Sequence, residues 1–326
     1  MPEALSILPQ VIVDGLVVGF LYAVVALGYT MVYGVLEFIN FAHSEIFMFG
    51  AFAAFEMLML LQGAGFLATL PPLIALVATV IVAMAVSGGL GWTVERIAYR
   101  PLRGAPRLVP LISAIGVSFF LQDFARVIWT AARGNYQLTV PNLISGTIGP
   151  WKIGSLPINV MIPISALIIM VASVLMMVGL IWFVNRTKVG KAMRAVAQDR
   201  PTASLMGINV NKIISLTFIL GGGLGGAAGA LFAVRYGAIN PYIGFILGMK
   251  AFTAAVFGGI GSLAGAVVGG LSLGVLEAIV TAYLGPLTGD ILKGPEYKDI
   301  FAFVILILIL VLKPAGLFGK ATSEKV

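Results

Sequence analysis

Two carboxylates, an asparagine and the single histidine of the chain fall within nine residues, Glu37 to Glu45, reading EFINFAHSE. These residue types can relay protons, and paired carboxylates such as Glu37 and Glu45 can serve as acid and base. Asn40, His43, Ser44 and Glu45 can equally line a path for a polar solute, because the positive end of a helix starting here suits a carboxylate. The plainer alternative is a cytoplasmic turn with a capped helix start. Further ionisable residues stand inside apolar sequence: Asp14, Glu56, Asp123, Arg126, Lys250 and Glu277. Such a group at bilayer depth costs about 2.5–3.5 kcal/mol on insertion scales, so it pairs or lines a cavity. Asp123 and Arg126, three apart, share a helix face, and Lys250 and Glu277 flank a glycine-rich hairpin across which they can pair. The absence of cysteine and the lone histidine exclude disulfides, thiolate sites and multi-histidine centres, so no metal site and no catalytic residue is expected. No G-x-x-x-x-G-K-[ST] loop occurs, so ATP is not expected to bind this chain.

The elements that position these groups follow from composition. Of 326 residues, 60% are hydrophobic and 10% charged, against roughly 25% charged in soluble domains, and the mean hydropathy is +1.07. The solvent is therefore a lipid bilayer. Nine apolar runs emerge: 11–35, 46–61, 66–92, 108–132, 160–184, 213–234, 243–260, 263–284 and 300–312. The expected fold is all-α and polytopic, with eight to ten membrane helices, several re-entrant or half-length, packed through glycine. One transmembrane domain is expected over 1–326, with its largest external loop at about 133–159 and a smaller one at Gly285 to Lys298. Of 20 basic residues, four lie between Arg96 and Arg107, six between Arg186 and Lys212, and three in the tail from Lys313. Nine crossings put all three groups on one side, which makes that side cytoplasmic and the N-terminus external. The net charge of +7 thus reports orientation; the scatter of basic residues between apolar runs argues against nucleic acid.

The cytoplasmic connection at about 185–212 contains more than a loop needs. Lys191 to Ala197 predicts a short basic helix, Pro201 a second start at the first helical position, and Ala203, Leu205 and Met206 a small apolar face ending at Gly207. Such an element suits docking to another protein or contact with lipid headgroups. Gly221, Gly225 and Gly229 form one small-residue ladder, and Gly261, Gly265 and Gly269 another, both expected to be helix-packing seams. Gly259, Gly261 and Ala264 match a dinucleotide fingerprint only by accident, since no βαβ context surrounds them.

Five segments in order carry a resemblance over nearly the whole chain: GYTMVYGVLEFINFAHSEIFMFGAF (28–52), ERIAYRPLRGAPRLVPLISAIGVSFFLQ (95–122), AVAQDRPTASLMGINVNKI (195–213), KAFTAAVFGGIGSLAGAVVGG (250–270) and LKPAGLFG (312–319). The chain resembles the permease subunit of branched-chain amino acid ABC importers, of the high-affinity leucine, isoleucine and valine type. The resemblance implies that Ala197, Gln198, Asp199, Ala203 and Gly207 belong to the segment presented to an ATPase subunit. Gln198 departs from a common glutamate, and Asp199 follows directly. It further implies a bacterial inner-membrane location, no cofactor on this chain, ATP and magnesium on two ATP-binding subunits, a second permease subunit as a heterodimer or homodimer, and an external substrate-binding protein. Ser44 replaces a usual glycine, and relatives serve urea, short amides or other amino acids, which keeps those solutes as alternatives. A secondary transporter driven by protons or sodium through Asp14, His43, Glu45 or Glu56 is the rival mechanism.

Overall fold

The computed structural model describes residues 2–106, 108–152, 159–313 and 315–319. In chain order the helices are α1 (Pro2–Leu36), α2 (His43–Gly63), α3 (Phe66–Thr69), α4 (Pro72–Val94), α5 (Leu108–Arg133), α6 (Ile164–Arg186), α7 (Lys188–Gln198), α8 (Arg200–Leu205), α9 (Val210–Tyr236), α10 (Ile243–Gly258), α11 (Leu263–Thr288) and α12 (Gly294–Leu312). Four short strands accompany them: β1 (Leu138–Thr139), β2 (Thr147–Lys152), β3 (Asn159–Pro163) and β4 (Ala238–Ile239). A helix closes its own backbone hydrogen bonds, which hydrocarbon demands. Each of the nine apolar runs accordingly contains a helix. Among the described residues seven are long and apolar enough to cross a membrane; α10 has only 16 residues, and α12, with 19, carries Glu296, Lys298 and Asp299 near its start.

The chain divides into two compact units. One comprises Leu27–Leu143 and Leu175–Met249. At its centre α2, α4 and α9 meet with almost no side chain between them. Every residue of α9 from Gly221 to Leu231 is buried. A Cβ on Gly222 would stand 2.6 Å from the Ser87 carbonyl oxygen of α4, and one on Gly91 would stand 2.8 Å from the Phe218 carbonyl oxygen of α9. On the other side Gly229 abuts the Phe47 carbonyl of α2, and Gly50 of α2 abuts Gly226. Ser87 Oγ donates to the Ile46 carbonyl at 3.0 Å, tying α4 to α2. Outward, α4 and α5 expose Leu73, Ile81, Phe120 and Val127, as lipid-facing surfaces do. Beyond α4 the helix loosens into a π-helical turn, Glu95–Tyr99, and a 3-10 turn, Arg100–Leu102. β1 and β4 pair antiparallel within this unit.

The other unit comprises Met1–Ala26, Ile144–Val174 and Lys250–Val326. Here α1 runs antiparallel to α11, with Gly15 beside Val275 and Gly19 beside Gly270 and Leu271. α10 crosses α11 at Gly258, Gly265 and Gly269. β2 pairs antiparallel with β3. The tail returns onto α10: Leu317 N–H donates to the Phe257 carbonyl at 3.0 Å and Phe318 N–H to the Gly258 carbonyl at 2.9 Å.

Three local expectations change. Gly261 lies in the turn between α10 and α11 with φ of +92°, and a Cβ there would meet nothing within 4 Å, so it serves the turn and not a helix seam. α11 extends to Thr288 and α12 begins at Gly294, so the connection expected over Gly285 to Lys298 is much shorter. The signal was Gly294-Pro295, with Pro near the first helical position. Pro201 occupies the second helical position of α8, because Asp199 is the N-cap.

Overpacking a close helix contact costs about 1–3 kcal/mol or more. Gly229→Val, which forces a side chain onto the Phe47 carbonyl, is expected to lower the melting temperature of the purified protein. Gly34→Ala, where nothing lies within 4 Å, leaves it unchanged.

Candidate functional site

Three groups of polar residues interrupt the apolar architecture. The first surrounds the start of α2. A turn ends α1: exposed Glu37 has φ of +58°, and the chain then enters α2 at His43. Asn40, His43, Ser44 and Glu45 are brought together, and each is 4% exposed or less. Tyr99 Oη donates to Asn40 Oδ1 at 2.6 Å, which anchors this turn to the π-helical turn after α4. His43 meets the Tyr29 ring edge-on at 4.8 Å between centroids, and a Cβ on Gly28 would overlap the imidazole. Glu45 Oε1 accepts from Ser118 Oγ of α5 at 3.1 Å and Ser44 Oγ at 3.4 Å; Oε2 has no hydrogen-bond partner. In the first turn of α2 its carboxylate faces the favourable end of the helix dipole. Gly244 and Gly248 of α10 press against Glu45 and Ser44. This is a polar core closed to solvent.

The second group lies on the 185–212 connection. Thr187 caps α7 by accepting from Gly190 N–H at 3.0 Å. Arg194 folds back to donate to the Val184 carbonyl and to Asn185 Oδ1. Asp199 caps α8: Oδ1 accepts from Thr202 N–H at 3.1 Å and Oδ2 from Thr202 Oγ at 2.6 Å. The helix ends in a Schellman pattern, with Gly207 at φ of +80°, its N–H bonded to the Ser204 carbonyl and Ile208 N–H to the Ala203 carbonyl. Ala203 is buried and Ala197 half-buried, while Gln198, Asp199 and Gly207 are exposed. Leu205 and Met206 are 87% and 78% exposed, an apolar tip held in water by two caps.

Beside it lies a network that no spacing in the sequence announced. Buried Glu95 pairs with Arg103 and accepts from Ser215 Oγ at 2.6 Å, while Arg103 also donates to Asn211. Burial lowers the Arg103 guanidinium from its ordinary value, opposed by the Glu95 charge. Its only sequence signal was a run of four arginines after an apolar helix.

The third group belongs to the other unit. Lys250 Nζ contacts Glu277 Oε1 at 2.7 Å and Asp299 Oδ1 at 2.6 Å, and Tyr22 Oη donates to Glu277 Oε2 at 2.8 Å. The expected Lys250–Glu277 pair is present; Asp299, assigned by hydropathy to the edge of the last apolar run, joins it because α12 starts earlier. Asp123 and Arg126 also pair, at 3.1 Å on an exposed face. Glu56 pairs with Arg133 and accepts from Trp129 Nε1 at 2.9 Å.

A family model described as "Branched-chain amino acid transport system / permease component" matches residues 11–310. The chain belongs to this permease family. It is 44% identical to the "High-affinity branched-chain amino acid transport system permease protein BraD" of Pseudomonas aeruginosa over 327 residues, all of both chains. It is 41% identical to the corresponding protein LivH of Escherichia coli K12, again over the full length of both. A probable LivH of Methanocaldococcus jannaschii is 25% identical over 95% of this chain and 92% of that one. Among solved structures, a chain of PsaBC from Streptococcus pneumoniae in complex with Fab aligns over 96% of both at 12% identity and a TM-score of 0.44, too distant to bear on this protein. The permease is thus an all-α, multi-pass membrane protein.

Removing one partner of a buried ion pair costs about 3–5 kcal/mol, because the other charge is left uncompensated. Lys250→Met is therefore expected to reduce the folded yield sharply, and Lys250→Met with Glu277→Gln to recover part of it, measured by size-exclusion chromatography of detergent extracts. Equal yields for the single and double variants would show that the pair is not coupled.

Proposed function

We propose that the chain is the permease subunit of an ATP-driven importer of branched-chain amino acids in a bacterial inner membrane. The observation that carries this reading is full-length identity of 41–44% to permeases named for high-affinity branched-chain amino acid transport. The chain itself catalyses no reaction and binds no cofactor. Two ATP-binding subunits hold ATP and magnesium, a second permease chain completes the path, and an external binding protein delivers solute. The N-terminus is external and the C-terminus cytoplasmic, supported by the three basic segments.

Transport follows alternating access. The α7–α8 element, with Ala197, Gln198, Asp199, Ala203 and Gly207, receives the movement of the ATPase subunits. Its exposed Leu205 and Met206 fit an apolar groove, and its caps keep it folded without a partner. Close helix seams at Gly221, Gly225, Gly229, Gly265 and Gly269 let helices rock without displacing bulky side chains. The polar core of Asn40, His43, Ser44 and Glu45 opens to the path in another conformation, since a carboxylate oxygen without a partner gains one when water enters.

Cells carrying the complete system are expected to take up labelled leucine; a hydrolysis-deficient ATPase subunit abolishes this, whereas a protonophore at maintained ATP does not. The reverse pattern would establish ion coupling instead. Asp199→Lys, or deletion of Ala203 to Gly207, is expected to reduce uptake by an order of magnitude while membrane insertion is retained; unchanged uptake would remove the coupling role of α8.

A further inference from the structure

Around the Lys250 cluster opens a cleft of about 270 Å³, contained within the unit of α1, α11 and α12. Its charged lining is Asp14 of α1, Glu277 of α11 and Lys298 of α12. Glu277 is already satisfied by Lys250 and Tyr22. The other two keep unused hydrogen-bonding capacity. Lys298 is 38% exposed, and its ammonium has a single carboxylate contact, 3.7 Å to Glu277. Asp14 is exposed, accepts from Gln10 at 3.1 Å on one oxygen, and forms no ion pair among the described residues.

Depth makes these charges informative. Asp14 stands inside the apolar run 11–35, and Glu277 eleven residues before the end of α11 at Thr288, which is about 16 Å of helix. Hydrocarbon does not accept exposed charge at that level, so the cleft holds water or a polar solute. Between the charges the walls are aliphatic and small: Val11 and Val18 on one side, Ala278 and Ala282 on the other. The cavity is smaller than the roughly 300–1,000 Å³ of sites for drug-sized ligands, which suits a solute the size of an amino acid. A cation in one long carboxylate contact, an anion with no ion pair among the described residues and an aliphatic wall are complementary to a zwitterion with a short apolar side chain.

We infer that this cleft is a binding site for an aliphatic amino acid, with the α-carboxylate on Lys298, the α-ammonium on Asp14 and the side chain against Val11, Val18 and Ala278. Lys250 is held by Glu277 at 2.7 Å and Asp299 at 2.6 Å, whereas the Lys298 ammonium stands 3.7 Å from Glu277, beyond hydrogen-bond distance, so its N–H donors can turn to the ligand. The assignment of solute rests on the transport function proposed above; the cleft itself rests on its own residues.

The natural chain contains no cysteine, so Ala282→Cys places a unique thiol in the cleft. In membranes containing the assembled transporter, a water-soluble methanethiosulfonate reagent is expected to label it. Saturating L-leucine slows labelling about tenfold, as occupancy requires. 4-Methylpentanoate, without the amino group, and isoamylamine, without the carboxylate, do not slow it. Adding Lys298→Met leaves the ligand-free labelling rate unchanged and removes the protection. Failure to label, as when lipid or a second permease chain fills the cleft, overturns the site. So does an unchanged rate in leucine, or protection that survives Lys298→Met, while wild-type membranes import leucine. Protection by a different zwitterion in membranes that import no branched-chain amino acid keeps the site and removes the solute; protection by none removes both.

Discussion

Helices in a bilayer gain nothing from hiding apolar surface from water, because lipid tails are as apolar as leucine. What holds this chain together must therefore be contact at short range. The seam of α9 with α2 and α4 meets that requirement by removing side chains altogether, so that Gly222 lies against the Ser87 carbonyl and Gly229 against the Phe47 carbonyl. Dispersion and weak Cα–H to carbonyl contacts act only at such distances. The arrangement of polar groups depends on it. Ser87 reaches the Ile46 carbonyl, and Glu45 reaches Ser118, only because the backbones that carry them are in contact or nearly so.

The same economy explains why charge is confined to a few clusters. Lys250, Glu277, Asp299 and Tyr22 satisfy one another in one unit, and Glu95, Arg103 and Ser215 do so in the other. Neither cluster gains much Coulombic stability after desolvation; each fixes a register between helices that apolar packing alone would leave free to slide. The sealed core at the start of α2 differs, since one oxygen of Glu45 is left without a partner. Asn40 Nδ2 in the same core lacks one as well.

Apolar run length and basic-residue clusters made the helices legible, because lipid imposes one period and one minimum length on every crossing. The starts of the cytoplasmic helices were read too late, at Lys191 and Pro201, because the apolar and basic pattern begins after the capping residues Thr187 and Asp199. Asn40, His43, Ser44 and Glu45 announced themselves as a cluster by being adjacent. The Glu95–Arg103–Ser215 network did not, because Ser215 lies 120 residues from Glu95 and joins it only through packing. Asp299 was missed for a different reason: hydropathy places a helix start where charge stops, whereas Gly294-Pro295 begins α12 nearly two turns earlier. Gly261 shows the reverse error, where spacing suggested a seam and the backbone needed a left-handed turn.

A helix of six residues has no stability of its own, since nucleation costs more than its few hydrogen bonds return. α8 nevertheless stands folded, clamped by Asp199 at one end and Gly207 at the other. A segment that is already rigid transmits displacement as a strut does, whereas a flexible one would absorb the same push by folding and unfolding. The two caps thus set the mechanical stiffness of this connection, and with it the fraction of any displacement that passes from α7 to α9.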